Sequence, residues 1–263
     1  FDVTDDTDTS NADSVLDVDS LNATSIVVNG SAADTGNTLS LGTLDTDTTS
    51  VTATGYGGIL TATAGSAIAT TFDLKGDRAH NITGSSKNDT FTMGDTTGSA
   101  PTFDGNGGTD VLTITLGSGV ADFANISDID TINIPVTTSA AITFNAASTD
   151  VDGLNAATAV NFTGGNALST ISIDGTAPLT DSTSSTIDFS GYNGTITDIT
   201  WAVDDFDDGE AGVTQSVVGT ANKDTVSASY NAAADATVSL NMTGVETFDV
   251  ALGNDSNEMV FDM

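Results

Sequence analysis

Short apolar runs recur along this chain roughly every 8–13 residues, and most end in glycine or asparagine. Early examples are "SIVVNG" at 25–30, "TLSLG" at 38–42, "SVTATG" at 50–55, "ILTATAG" at 59–65 and "TFDLKG" at 71–76. The rhythm returns in "AITFN" at 141–145, "AVNFTGG" at 159–165, "STISIDG" at 169–175 and "STIDFSG" at 185–191. Inside most runs an apolar residue alternates with Thr, Ser or Asp. A period of two places alternate side chains on opposite faces of a strand, and the terminal Gly or Asn supplies the turn. No stretch sustains a 3.6-residue period, so helix is expected to be minor. Short strands at this spacing suit either stacked coils or sandwiches. With only 3 prolines and no visible linker, the expected fold is all-β: an irregular parallel β-helix or β-roll-like solenoid, with tandem β-sandwiches as the alternative.

One repeat stands out. "GSSKNDTFT" (84–92) is followed by "NISDIDTINI" (125–134), and "GTANKDTVS" (219–227) by "NMTGVETFDV" (241–250). Both blocks read Gly-x-x-x-x-Asp-Thr-apolar, then Asn-apolar-Ser/Thr, then apolar-acid-Thr-apolar. Asp89 and Asn125 are 36 residues apart and Asp224 and Asn241 are 17 apart, a difference of 19. That is one plausible coil, and the first block's extra stretch contains "FDGNGGTDVLTI" (103–114). The chain is accordingly divided into an acidic β-ladder segment (1–80), a first motif-bearing block (81–135), a segment with an acidic loop (136–215) and a second block (216–263). The "FDVTDD" start reads as mid-chain, so a longer parent chain is expected; no signal peptide opens it.

Charge narrows the partners. The 263 residues carry 4 Lys+Arg against 37 Asp+Glu, a formal net charge of −33. Such a chain repels itself when compact. It is a poor partner for nucleic acid, which is bound through Lys and Arg. Multivalent cations are good partners. Hydrophobic residues are 38%, below the usual share of about 45–50%, so a thin core of small and β-branched side chains is expected. With no cysteine, disulfides and thiolate metal sites are excluded. No apolar run approaches the ~18 residues of a membrane-spanning helix, and membrane insertion is not expected.

Candidate chemistry sits at the turns. The Ca²⁺-binding β-roll nonapeptide has the form G-G-x-G-x-D-x-U-x, with U apolar. "GNGGTDVLT" (105–113) fits it at Gly105, Gly108, Asp110 and Leu112. "GSSKNDTFT" fits at Gly84, Asp89 and Phe91, and "GTANKDTVS" at Gly219, Asp224 and Val226. "GNDSNEMVF" (253–261) is a degenerate copy. Ca²⁺ takes six to eight oxygens, roughly 2.3–2.6 Å away. Glycine at positive φ can aim carbonyls at an ion, Asp supplies charge, and the apolar residue two positions on points inward. The candidate ligands are Asn88, Asp89, Asp104, Gly105, Gly107, Asp110, Asn222, Asp224, Asp255 and Glu258. The crowded loop "DDFDDGE" adds Asp204, Asp205, Asp207 and Asp208, and a second acidic cluster lies at 2–13. Solvated acidic loops are the competing reading of both clusters. Lys75, Arg78, His80 and Lys87 form the one basic cluster, suited to an acidic surface of a second copy or to an anionic glycan.

These features together resemble the calcium-dependent S-layer proteins and large repeats-in-toxin surface proteins of Gram-negative bacteria. The residues that carry the resemblance are the "NDTFT" and "NKDTV" turns, "FDGNGGTDVLTI", "NISDIDTINI" and "NMTGVETFDV". It covers 84–134 and 219–261; elsewhere only composition and rhythm agree. It implies type I secretion, Ca²⁺-dependent folding and Ca²⁺-dependent assembly on the cell surface. Few intact tandem nonapeptides are present, which favours isolated ion sites over a long regular roll. The expected function is structural: a secreted protein that self-assembles into an S-layer-like lattice or fibre. A surface glycan or lipopolysaccharide is a further partner. The alternatives are an adhesin or carbohydrate-binding segment and a polysaccharide-degrading β-helix enzyme. Catalysis is not expected: a Ser-His-Asp triad would have to use the sole histidine, His80. Only Trp201, Tyr56, Tyr192 and Tyr230 could join phenylalanine in forming aromatic platforms.

Overall fold

A computed structural model describes residues 15–17, 22–30, 37–94, 100–117, 119–121, 123, 125–137, 141–144, 157–166, 170–173, 185–203, 214–230 and 239–252. These residues form strands and turns with no helix among them, and therefore no helix long and apolar enough to cross a membrane. In chain order the strands are β1 (Val15–Asp17), β2 (Ser25–Asn29), β3 (Thr38–Thr43), β4 (Ser50–Gly55), β5 (Ile59–Thr63), β6 (Thr71–Leu74), β7 (Asn81–Thr83) and β8 (Thr90–Met93). Next come β9 (Thr102–Asp104), β10 (Val111–Ile114), β11 (Gly119–Ala121), β12 (Ile126–Ser127), β13 (Thr131–Val136), β14 (Ala141–Phe144) and β15 (Ala159–Gly164). The last are β16 (Thr170–Ile173), β17 (Ser185–Tyr192), β18 (Thr195–Val203), β19 (Thr214–Val218), β20 (Thr225–Tyr230), β21 (Ser239–Thr243) and β22 (Thr247–Leu252).

The chain divides into two compact units, one drawn from Phe1–Thr115 with Asn125–Asp130, the other from Leu116–Ala124 with Thr131–Met263. In the first unit, strands alternate between a sheet ordered β2-β4-β6-β8-β10 and one ordered β1-β3-β5-β7-β9-β12. Each coil contributes one strand to each sheet, and neighbours pair in parallel, as Thr71–Leu74 does with Thr90–Met93 and Asn81–Thr83 with Thr102–Asp104. The second unit repeats the scheme with β13-β15-β17-β19-β21 and β11-β14-β16-β18-β20-β22. Its pairs are parallel as well. This is a β-solenoid. Sandwiches are antiparallel, so the tandem-sandwich alternative falls. In the first unit, contacting residues on neighbouring coils lie 19 to 26 positions apart. In the second they lie 20 to 30 apart, longer than the sequence difference of 19 suggested.

The alternation read from sequence becomes the inside and outside of the coil. Ser25–Asn29 reads exposed-buried-exposed-buried-exposed, and Thr90–Met93 and Val111–Ile114 bury Phe91, Met93, Leu112 and Ile114. Parallel register stacks like on like. Val51, Phe72, Phe91 and Leu112 form one inward column. Phe72 and Phe91 stack at 5.5 Å and 5°, and Phe91 meets Phe103 across the coil at 5.5 Å and 58°. In the second unit Phe162 stacks on Phe189 at 4.5 Å. The core is thin, as expected, but its bulk comes from phenylalanine columns rather than from small side chains alone. Aromatic pairs at these separations add about 0.5–1.5 kcal/mol beyond their burial.

Candidate functional site

A parallel ladder leaves N–H groups unsatisfied where the chain turns into the next strand, and an orphaned buried N–H is costly. This chain meets them with carboxylates. Thr70, Asp89, Asp110 and Asp130 immediately precede β6, β8, β10 and β13. The Thr70 N–H donates to Asp89 Oδ1 at 2.5 Å, the Asp89 N–H to Asp110 Oδ1 at 2.7 Å, and the Asp110 N–H to Asp130 Oδ2 at 2.7 Å. The side chain of one coil thus caps the main chain of the preceding coil. The second unit does the same before β20 and β22, where the Asp224 N–H donates to Glu246 Oε2 at 3.0 Å and Asp224 Oδ1 accepts from Ile196 N–H at 3.2 Å.

The Gly-x-x-x-x-Asp spacing follows from the same device. The carboxylate folds back toward the glycine five residues earlier. A Cβ on Gly84 would lie 2.7 Å from Asp89 Oδ2, one on Gly105 2.5 Å from Asp110 Oδ2, and one on Gly219 2.8 Å from Asp224 Oδ2. None of these three glycines has positive φ. They are needed for room, not for backbone freedom. Positive φ belongs instead to Asn106 (62°), Gly107 (125°) and Gly108 (123°) in the "NGG" turn.

The three corners differ at one hydrogen bond. At Asp89, Oδ2 accepts the N–H of Ser85, the residue after Gly84, at 2.5 Å. At Asp224, Oδ2 accepts the N–H of Thr220, the residue after Gly219, at 2.5 Å, and Oδ1 also accepts the Thr220 hydroxyl at 2.9 Å. At the third corner the residue after Gly105 is Asn106, and its N–H turns away to Asp104 Oδ1 at 2.9 Å. Asp110 Oδ2 is left buried with no hydrogen-bond donor. Burial, reinforced by the nearby Asp89, Asp130 and Asp128 charges, pushes the Asp110 carboxyl up to about 6, against the lowering effect of the Asp89 N–H.

The sequence-predicted ligands therefore separate. Asp89, Asp110 and Asp224 are 1%, 0% and 1% exposed, and they cap main chain. Asn88 is exposed and bridges coils, its Oδ1 accepting from Thr109 N–H at 3.1 Å. Asn222 bridges likewise, donating from Nδ2 to Gly194 O at 2.6 Å. Asp104, Gly105 and Gly107 lie in the turn beside Asp110. Asp204, Asp205, Asp207, Asp208, Asp255, Glu258 and the cluster at 2–13 lie outside the described residues. Among the described residues no three His, Cys, Asp or Glu side chains form a metal cluster. Tested as Ca²⁺ sites, the Asp89 and Asp224 corners fit poorly, because N–H protons already face both oxygens of each carboxylate. The Asp110 corner fits better: Oδ2 is free of donors and the Asp128 carbonyl lies beside it, both crowding the space where a Gly105 Cβ would stand.

Sequence reasoning passed over Asp130 and Glu246 as functional residues. Their signal was present, since acid-Thr-apolar marks Asp89, Asp130, Asp224 and Glu246 alike. The histidine of the basic cluster lies inside the coil. His80 is 0% exposed. Its Nδ1 accepts from Leu60 N–H at 2.9 Å, and Nε2 lies 2.9 Å from Lys75 O. Arg78 donates from Nε to Gly57 O and from Nη1 to Asp77 O. Tyr56 and Tyr192 are each 2% exposed, so neither is a surface platform. Comparison with protein-family models, curated proteins and solved structures gives no match.

Proposed function

We propose that this chain is a structural segment of a secreted bacterial surface protein, and that Ca²⁺ governs its self-association into a lattice or fibre. The observation that carries this reading is the column Asp89–Asp110–Asp130: acids stacked coil upon coil, one oxygen lacking a donor, in a chain of net charge −33. Like charges so arranged repel, and a bound cation stabilises the folded state by mass action. Ions held between exterior carboxylates of two copies then join them. The resemblance of the "NDTFT", "NKDTV" and "FDGNGGTDVLTI" stretches to S-layer and repeats-in-toxin surface proteins supports the same reading. The test is light scattering and far-ultraviolet circular dichroism of the purified chain in Ca²⁺ and in excess EDTA. Concentration-dependent particles in Ca²⁺ that disperse in EDTA are expected. Particle size that ignores EDTA overturns the proposal, and a Ca²⁺-loaded monomer at every concentration favours the adhesin reading instead.

A further inference from the structure

We infer that the Asn106–Gly107 pair is a self-modification site, where the folded chain converts an asparagine amide into an aspartyl or isoaspartyl carboxylate without an enzyme. The reaction depends neither on calcium nor on assembly. The Gly107 main-chain nitrogen attacks Asn106 Cγ. An N–Cγ bond forms, the Cγ–Nδ2 bond breaks, and Nδ2 leaves as ammonia with the proton that the glycine nitrogen gives up. Water then opens the cyclic imide. Opening at Cγ gives aspartate; opening at the main-chain carbonyl gives isoaspartate, with the chain routed through the side chain. Nothing is oxidised or reduced, and water is the only co-reactant. Glycine in second place favours the attack because it sets no side chain beside the nitrogen.

The sequence holds three Asn-Gly pairs, Asn29–Gly30, Asn106–Gly107 and Asn193–Gly194, and the fold sets them apart. Asn29 closes β2 in register with Gly55 of β4, and its Oδ1 lies 3.1 Å from where a Gly55 Cβ would stand. Asn193 is tied to the coils on both sides. Its main-chain N–H and its Nδ2 donate to Gly164 O at 2.8 and 3.2 Å, and its carbonyl accepts from Asn222 Nδ2 at 3.2 Å. The nitrogen that would attack there belongs to buried Gly194. Asn106 is exposed, and its N–H bonds within its own turn, to Asp104 Oδ1 at 2.9 Å. Among the described residues, no hydrogen bond ties its side-chain amide or the Gly107 N–H to another coil. Ring closure needs rotation between these two residues. The turn is anchored on either side of them, by Gly105 N–H to Ser127 O at 3.0 Å and by Thr109 N–H to Asn88 Oδ1 at 3.1 Å. Nothing lies within 4 Å of where a Gly107 Cβ would stand. The residues that must rotate are therefore the unanchored ones. Conversion adds a carboxylate to a turn that already holds Asp104 and Asp110.

The test is incubation of the full chain in mildly alkaline buffer with EDTA, once folded and once in urea. Digestion at acid pH, which stops further conversion, and peptide mapping by mass spectrometry follow. In the folded chain Asn106 is expected to convert at least about tenfold faster than Asn29 or Asn193, because freeing either of those from its neighbours adds to the barrier and each factor of ten corresponds to about 1.4 kcal/mol. In urea the three pairs are expected to convert at similar rates. Both aspartyl and isoaspartyl products are expected at 106, told apart by electron-transfer fragmentation. Gly107→Ala, whose Cβ meets open space but shields the nitrogen, should slow conversion at 106 and leave Asn29 and Asn193 unchanged. Should that variant fail to fold, the wild-type comparison of folded chain with urea decides alone. Conversion of Asn29 or Asn193 as fast as Asn106 in the folded chain overturns the inference, as does an Asn106 that converts in urea but not when folded.

Discussion

The chain has a single histidine, and that residue offers a direct check on the packing described for the first unit. His80 is fully buried, with Nδ1 accepting the Leu60 N–H and Nε2–H donating to the Lys75 carbonyl. Both bonds require the neutral ring in one tautomer. Protonation at Nδ1 would set two N–H groups against each other in a fully buried site. Burial, with a smaller push from the Arg78 charge, lowers the imidazole from 6.5 to about 4, despite the opposing bond to Lys75. At about 1.4 kcal/mol per tenfold change in proton affinity, the neutral form contributes up to about 3 kcal/mol to folding. Because the folded value is depressed, that contribution is complete above about 6.5 and is lost as pH falls through about 4. The assay is nuclear magnetic resonance of the one imidazole Cε1–H signal across pH 3.5 to 8, with urea unfolding of wild type and His80→Gln at each pH. Gln can keep one donor and one acceptor but does not titrate. A folded-state midpoint near 6.5 would refute the reasoning, and so would a wild-type stability that tracks His80→Gln over the whole range.

Other perturbations probe the corners and the core. The folded Asp110 value is raised from 3.8 to about 6, so without metal its neutral form supports the fold below about 4 and that support is lost as pH rises through about 6. The effect is up to about 3 kcal/mol and nearer 1–2 after solvent screening across a thin turn. It runs opposite to His80, so between pH 4 and 6.5 urea midpoints in EDTA should drop on acidification in Asp110→Asn and rise in His80→Gln. Gly84→Ala should cost about 2–4 kcal/mol by urea unfolding, since its Cβ meets both Asp89 Oδ2 and the Gly105 carbonyl at 2.7 Å and neither can yield easily. Gly107→Ala, strained only by its φ of 125°, should cost about 1–3 kcal/mol; a Gly84→Ala cost below about 1 kcal/mol would show that the Asp89 side chain does not occupy the Gly84 space. Phe91→Ala should cost about 3–5 kcal/mol, because Phe91 is 0% exposed, stacked on Phe72 and tilted against Phe103; a loss under 1 kcal/mol in the same assay would contradict the packed core.

The fold was legible because the period-two pattern is physically forced. A two-sided coil must bury alternate residues, and "TFTM" and "VLTI" say which ones. The inward residue two places after each motif aspartate was readable for the same reason: Phe91, Leu112 and Val226 are all 0% exposed. The extra coil of the first block was also visible, and it is the one that carries Asp110. What the sequence hid was the direction of a main-chain bond. "GSSKND" and "GNGGTD" share glycine and aspartate at the same spacing, yet Ser85 sends its N–H inward and Asn106 sends its N–H to Asp104. Nothing in a Gly-to-Asp spacing records that choice. It depends on positive φ at Asn106, and on Asp104 standing two residues earlier to capture the freed N–H. Histidine was misplaced for a related reason. Three cationic residues nearby suggested a surface cluster, whereas the ring is held inside by two main-chain partners, the local Lys75 carbonyl and the Leu60 N–H twenty residues away.

An acidic chain with few basic residues looks, from composition, like a surface problem to be solved by solvent or by ions. Part of the charge answers a different need. A parallel solenoid turns at every corner, and each turn strands an N–H just outside the ladder. Before β4 and β13 a main-chain carbonyl of the preceding coil meets it, Thr24 O for the Thr49 N–H and Asp110 O for the Asp130 N–H; at other corners a short carboxylate from the next coil does. Asp89, Asp110, Asp130, Asp224 and Glu246 do this, and the carboxylates that also receive a second donor have the stronger, charge-assisted form of the bond. Where that second donor is present, the acid is self-sufficient and an added cation would compete with N–H protons already in place. Where it is turned away, the same acid is a liability that protonation or an external positive charge relieves. What distinguishes the corners is therefore less how many carboxylates the fold carries than which corner carboxylates lack a second main-chain donor. In the first unit the described corners leave that vacancy at Asp110 Oδ2.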